Sequence, residues 1–285
     1  MPLAKAVEYG YLSARCHVIR SQLLDTQRLG ELAGSRSMGE FVSSLLETSY
    51  GAFITDTSRE GVHKGLIEAF SYQRKRLSRE LQKRHLEIFE LFFHSKYALL
   101  DEKQNVALLD SSVRSSEENF HKIDRTYIGL LEKSMKKLPS SEQRQIKKIV
   151  GSYFDLLNLY NLVKFRILYK RSVEETLSMM LPYTDKFTLS SLTELSSARD
   201  IKTLSERMKP IFGEVFDDYE TFRQELYAYH RKQLLSVWTG YPFSLAIPFS
   251  LLRLIEIEIS DLRAITEGIA FGLDSDEIRT MMVGG

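Results

Sequence analysis

Few residues in this chain have the types and spacing that chemistry requires. Gly34-Ser35-Arg36-Ser37-Met38-Gly39 has the glycine spacing of a phosphate-binding loop. Such a loop needs Lys and Ser or Thr next, to hold phosphate and magnesium. Glu40 and Phe41 stand there instead, so the motif is discarded. Asp217-Asp218-Tyr219-Glu220 offers half of a metal-diphosphate site. No second acidic cluster faces it in the sequence, so an exposed helix surface is the better reading, and a diphosphate enzyme using Asp217 and Asp218 the remote one. His17, His63, His85, His94, His121 and His230 form no H-E-x-x-H pair and no recognisable metal spacing, and they read as ordinary surface or partly buried histidines. Cys16 lies between Arg15 and His17. Neighbouring cations lower a thiol pKa, but adjacent residues on a helix point in different directions, so a buried structural cysteine is expected. The pattern contains no nucleophile–base pair. No enzyme activity, cofactor or metal site is expected.

The most informative charges lie in the C-terminal third. After the loop that Tyr241-Pro242-Phe243 opens and that ends near Pro248, the otherwise apolar segment from Phe249 to Ile265 carries the charges Arg253, Glu256, Glu258, Asp261 and Arg263. Unpaired burial of such charges is costly, so they must face a groove, a partner or water. The stretch Phe243–Ile257 is interrupted by Pro248, Arg253 and Glu256 and falls short of the ~20 residues a membrane span needs. The N-terminus lacks the apolar run of a signal peptide. The expectation is a chain with no transmembrane segment.

Composition bounds the remaining classes. The 285 residues allow one large domain or two small ones. Lys and Arg number 39 and Asp and Glu 38, a net charge of +1, which argues against bulk electrostatic binding to nucleic acid or anionic lipid. One cysteine excludes an intrachain disulfide framework and a cysteine-based zinc site. The 14 Tyr and 16 Phe recur at helical spacing without interleaved basic residues, which favours core packing over base stacking and predicts no nucleic-acid partner.

The elements that must position these residues read as helices almost throughout. From about Gly61 to Leu100, Leu66, Leu77, Ile88 and Leu99 recur every eleven residues, and Phe70, Leu81 and Phe92 form a parallel series. Eleven residues are close to three helical turns, so one long, nearly straight helix is expected, a rod of ~60 Å. Its opposite face carries Arg74, Lys75, Arg76, Arg79, Lys83 and Arg84, read either as solvated charge partly paired with Glu80 and Glu87 or as a basic docking face. The polar stretch from about Asp101 to Asn119 is expected to turn the chain so that a second long helix, with a capping box at Ser115-x-x-Glu118 and an end near Leu138, packs antiparallel on the first. Pro139 then restarts a helix from about Ser141 to Tyr169.

A threefold echo runs through this pattern. Ser13-Ala14-Arg15, Asn158-Leu159-Tyr160 and Asp261-Leu262-Arg263 lie inside amphipathic helices, and 12, 14 and 13 residues later come the helix-cap candidates Asp25, Ser172 and Asp274. Glu175 and Glu277 complete capping boxes at the last two. Ser37-x-x-Glu40 and Ser197-x-x-Asp200 echo each other as starts of short helices, with Leu45 and Leu204 on the buried face. Three similar helical units around an axis, or chance recurrence of caps, both account for these spacings.

Glu256-x-Glu258-Ile259-x-Asp261-Leu262-Arg263-x-Ile265, followed by Gly272-Leu273 and Glu277-Ile278-Arg279, resembles the C-terminal motif of one family of V/A-type rotary ATPase subunits, the C subunit of prokaryotes and its eukaryotic counterpart, the d subunit. Tyr153–Leu159, Ile123-Asp124-Arg125-Thr126-Tyr127, Tyr11-Leu12-Ser13-Ala14-Arg15 and Leu45–Tyr50 are similar to the family in the same order along nearly the whole chain. Asp261 stands where Asn is usual, Tyr160 where arginine is often seen and Ile269 where lysine is common; the chain is shorter than typical members.

The resemblance implies an all-α, funnel-shaped protein of three similar helical units about a pseudo-threefold axis, here 1–110 with the long helix, 111–215 and 216–285, in one compact body. It implies a non-catalytic rotor component that receives the central stalk and caps the membrane proteolipid ring, peripheral to the cytoplasmic face, coupling ATP turnover to ion transport. Arg15, Asn158, Arg263 and Glu267 would then line the funnel as partner-binding residues, unless Asn158 and Asp261 merely satisfy groups inside the fold. The alternative is a helical scaffold that holds an acidic partner through the basic 74–84 helix face.

Overall fold

The computed structural model describes residues 2–95 and 113–284, with side chains from residue 6 to 93 and from 122 to 284. Among the described residues the chain is all-α, with no strand. In chain order the α-helices are α1 (Pro2–Arg20), α2 (Thr26–Ala33), α3 (Met38–Leu46), α4 (Arg59–Ser78), α5 (Lys83–Glu90), α6 (Val113–Met135), α7 (Ser140–Leu162), α8 (Val173–Ser178), α9 (Leu189–Leu195), α10 (Ile201–Phe212), α11 (Tyr219–Ser236), α12 (Ala246–Phe271) and α13 (Ser275–Met281). They form two compact units: residues 1–80 with 219–285, and residues 81–218.

In the first unit α12 is the axle of the core. Its residues from Ala246 to Ile259 are all buried, and α1, α2, α3, α4, α11 and α13 pack against it. Leu251, Leu252, Leu262 and Ile265 of α12 are fully buried, as are Leu66 of α4 and Leu45 of α3. Each such side chain contributes about 1.5–3 kcal/mol when removed from water. Pro248 lies in the first turn of α12, where its missing N–H costs no intrahelical bond. The helix stops at Gly272, whose φ of 71° is left-handed, and Leu273 N–H reaches back to the Gly268 carbonyl at 2.9 Å.

In the second unit α7 continues into a π-helical segment, Val163–Leu168, and buries Ile146, Ile149, Val150, Phe154 and Leu159. The helix expected from about Ser141 to Tyr169 is thus present with a change of pitch near its end. Helix α5 and the π-helical segment Leu91–Ser95 pack on α6, and Lys137 Nζ meets a Glu87 carboxylate oxygen at 2.7 Å.

The single long rod is not formed. Helix α4 ends at Ser78, and Gln82, at φ −65° and ψ 150°, is extended before α5 begins. At the break Glu80 pairs with Arg15 of α1 at 2.7 Å, and the chain passes from one unit to the other. The eleven-residue spacing reports burial correctly. Leu66, Phe70 and Leu77 are buried in the first unit, and Leu81, Ile88 and Phe92 in the second. A burial period carries no record of a short break that returns the next helix to an apolar surface. The basic 74–84 stretch is therefore not one helix face: Arg74–Arg79 and Lys83–Arg84 belong to different helices and different units. Leu99 and Leu100, most of the polar stretch and the side chains of Ser115 and Glu118 lie outside the described residues.

The local repeat has a structural counterpart in three places. Asp25 caps α2, Ser172 caps α8 with Glu175 closing the box, and Asp274 caps α13 with Glu277 closing the box. Each capped helix follows a long one. Ser37 caps α3, but the matching start near residue 200 is shifted: Asp200, not Ser197, caps α10 by accepting from Thr203 N–H at 2.7 Å. Ser197 instead closes the end of α9, its hydroxyl donating to the Glu194 carbonyl.

Candidate functional site

Two pairs of polar residues, each three positions apart inside a long helix, do matching work. In α7, Asp155 and Asn158 are fully buried. Asn158 Oδ1 accepts from Leu181 N–H at 2.7 Å and its Nδ2 donates to the Leu181 carbonyl at 3.1 Å. Asp155 accepts the N–H groups of Asp185, Lys186 and Phe187 at 3.0, 2.9 and 3.5 Å. Gly151, one turn earlier, lets that loop close on the helix, since a Cβ there would lie 2.5 Å from Asp185 Cβ. In α12, Asp261 accepts from Val283 N–H at 2.6 Å and Gly284 N–H at 2.9 Å, while Glu258 accepts from Leu24 N–H at 2.9 Å. Asn158 and Asp261 thus each hold backbone about 23 residues downstream, beyond a capped short helix. Sequence reasoning found Asn158 and Asp261 but missed Asp155 and Glu258 as clamps, because backbone N–H donors leave no mark in the sequence.

The other charges of α12 are paired internally, apart from Arg263. Arg253 Nη1 meets Glu256 Oε2 at 2.8 Å, with side chains 9% and 5% exposed, and Arg253 Nε donates to His230 Nε2 at 3.1 Å. His230 and, in the second unit, His85 are fully buried rather than superficial.

The predicted site residues fall in separate places. Arg15 is half-buried, bonded to Glu80 and to the Tyr11 hydroxyl, with its guanidinium 4.5 Å above the Tyr11 ring. Glu267 joins α12 to the start of α4, with Arg59 at 3.4 Å and His63 at 3.5 Å. Arg15 and Glu267 therefore mark opposite ends of α4, about 30 Å apart along its axis. Arg263 is exposed, and its charge assists burial in holding the His63 pKa below the usual value, burial being the larger cause. Asn158 lies in the second unit with both amide atoms committed.

Burial pushes the Cys16 thiol up to about 12, so it stays a protonated, inert hydrophobe. No group of three or more His, Cys, Asp or Glu side chains is placed to hold a metal ion among the described residues. No described helix is long and apolar enough to cross a membrane. Burial, and secondarily the Asp261 charge, pushes Glu258 up to about 8 against the opposing effects of the Tyr50 hydroxyl and Leu24 N–H. Burial likewise pushes Asp261 up to about 6.

These raised values fix a sign. Above pH ~4.5 the unfolded chain has released the Glu258 proton while the folded chain keeps it until about 8. The folded state then binds more protons than the unfolded one, so Glu258 lowers stability progressively as pH rises from ~4.5 to 8. Asp261 acts the same way, but its fall ends near pH 6. Urea unfolding at pH 6 and pH 8 is expected to show the Glu258→Gln protein losing less stability over that interval than the parent chain. An equal loss in both would mean that Glu258 is already ionised at pH 6.

Comparison with known proteins gives this arrangement a family. The family described as ATP synthase (C/AC39) subunit matches residues 110–281, more than half of the chain. The A-type ATP synthase C subunit of Thermococcus kodakarensis is 21% identical over 296 residues, covering 99% of this chain and 63% of the relative. The chain thus spans less than two thirds of that relative's length. Proteins of the same name from Thermococcus onnurineus and Desulfurococcus sp. are 22% and 23% identical, and the matches cover 98% and 97% of this chain and 91% of each relative. The chain belongs to the ATP synthase (C/AC39) subunit family.

Proposed function

We propose that this chain is the non-catalytic rotor component of an A-type ATP synthase, seated at the cytoplasmic face of the membrane between the central stalk and the proteolipid ring. The observation that carries the reading is the family match over residues 110–281. The physical construction is consistent with it. A torque-bearing part needs stiff helices and fixed joints, and here buried carboxylates and an amide pin loops and the C-terminal tail to long helices. In this reading three helical units, 1–110, 111–215 and 216–285, surround a common axis. Arg15, Arg263 and Glu267 contact partner subunits, while Asn158 serves by bracing the backbone near Leu181. The scaffold alternative loses its basis with the break at residues 79–82.

Affinity-tagged chain, recovered from its native cell after mild-detergent solubilisation, is expected to bring down nucleotide-binding subunits and proteolipid together. Recovery of neither, from an extract that contains intact rotary ATPase, would overturn the reading.

A further inference from the structure

A groove of about 550 Å³ runs along one face of α11 within the first unit. Ala228, Arg231, Lys232 and Leu235 line it at helical spacing, and Arg279 of α13 and Met282 of the tail face them. The tail forms a fixed wall. Arg223 donates to the Thr280 and Met281 carbonyls at 3.0 and 2.8 Å, and Asp261 holds the next amides. The α11 face from residue 224 to 235 is ~16 Å long, enough for about three turns of a second helix.

Its charge is unbalanced. Three cations line the groove against one acid, Glu225. Arg279 is already engaged by Asp276 at 2.9 Å. Arg231 and Lys232 make no hydrogen bond or ion pair among the described residues, although Arg231 is partly buried. Arg231 also lines a smaller adjoining cavity of about 190 Å³ and acts at a distance on the buried carboxylates there, Glu258 and Asp261. Those carboxylates are bonded to backbone amides instead. A half-buried arginine with no bonded counter-ion gains a charge-assisted hydrogen bond from an incoming carboxylate.

We infer that this groove binds an acidic, amphipathic segment of a partner protein, with its carboxylates on Arg231 and Lys232 and its apolar side chains against Leu235 and Ala228. The mixed lining favours a polypeptide over a small anion, which would leave the apolar wall uncovered. The recessed shape, walled on both sides, favours it over a flat lipid surface. The inference stands on the groove alone and does not depend on the rotary reading.

The test is fluorescence anisotropy with the full chain and a labelled helical peptide carrying Glu on one face and Leu on the other. Binding is expected, weakening as salt is raised from 50 to 300 mM. Arg231→Gln with Lys232→Gln should reduce affinity at least tenfold. Ala228→Trp, which fills the groove and leaves the charges in place, should reduce it similarly, with circular dichroism confirming that both proteins are folded. Absence of binding, equal binding by these variants, or equal binding of a peptide with Lys in place of Glu would overturn the inference. So would displacement of the peptide by millimolar inorganic phosphate at constant ionic strength, which would mark a small-anion site. Binding to phosphatidylserine vesicles without binding to the peptide would reassign the groove to lipid.

Discussion

Glu256→Ala is expected to destabilise the first unit by about 3–5 kcal/mol, the usual cost of breaking a buried ion pair by removing one partner. The Glu256 carboxylate and the Arg253 guanidinium are 2.8 Å apart with side chains 5% and 9% exposed, so water cannot replace the lost acid. The guanidinium would remain buried, with His230 Nε2 as an acceptor at 3.1 Å, and would lose its bond to the Glu256 carboxylate. Arg253→Met with Glu256→Leu removes both charges and keeps the volume. That double variant should recover part of the loss, because apolar replacements of buried pairs are often neutral or better. His230 then loses a hydrogen-bond donor, which costs about 1–3 kcal/mol. Chemical denaturation of the two variants checks this. A double variant as unstable as the single one would mean that the guanidinium left unpaired is not what makes Glu256→Ala costly.

Asp155→Ala is expected to be comparably severe in the second unit, about 3–5 kcal/mol, because hydrogen bonds to a charged acceptor are each worth ~1.5–3 kcal/mol and do not add fully. Three successive amides, at Asp185, Lys186 and Phe187, would lose their acceptor at once. Burial raises the Asp155 pKa while those amides oppose the rise. Asp155→Asn keeps one acceptor oxygen and should fall between the parent and the alanine variant. Amide hydrogen exchange at residues 185–187 reads the effect locally. Protection unchanged in Asp155→Ala would show that the loop is held by something else.

These two sites mark what is legible in the sequence. Local signals are readable because their partners are near in the chain. Asp25, Ser172 and Asp274 each cap a helix, and the apolar period from Leu66 to Phe92 names buried residues correctly. The charges inside Phe249–Ile265 are readable as a problem, since unpaired burial is costly, but not as a solution. Arg253 and Glu256 answer each other one turn apart, Asp261 answers the tail at Val283 and Gly284, and Arg263 is left exposed. The break at residues 79–82 is illegible because Arg79-Glu80-Leu81-Gln82 contains no glycine or proline, and Glu80's partner lies 65 residues away in α1. The groove beside α11 is equally hidden, since residues from both ends of the chain, Thr26 and Gly30 as well as Arg279 and Met282, come together to wall it.

Membrane vesicles from the native cell, with this chain deleted or restored, allow ATP hydrolysis and ATP-driven membrane potential to be recorded side by side. A coupling role in the rotor predicts that deletion leaves hydrolysis by the soluble sector and abolishes the potential, and that restoring the chain returns it. A potential generated at the parental rate without this chain would contradict the proposed role.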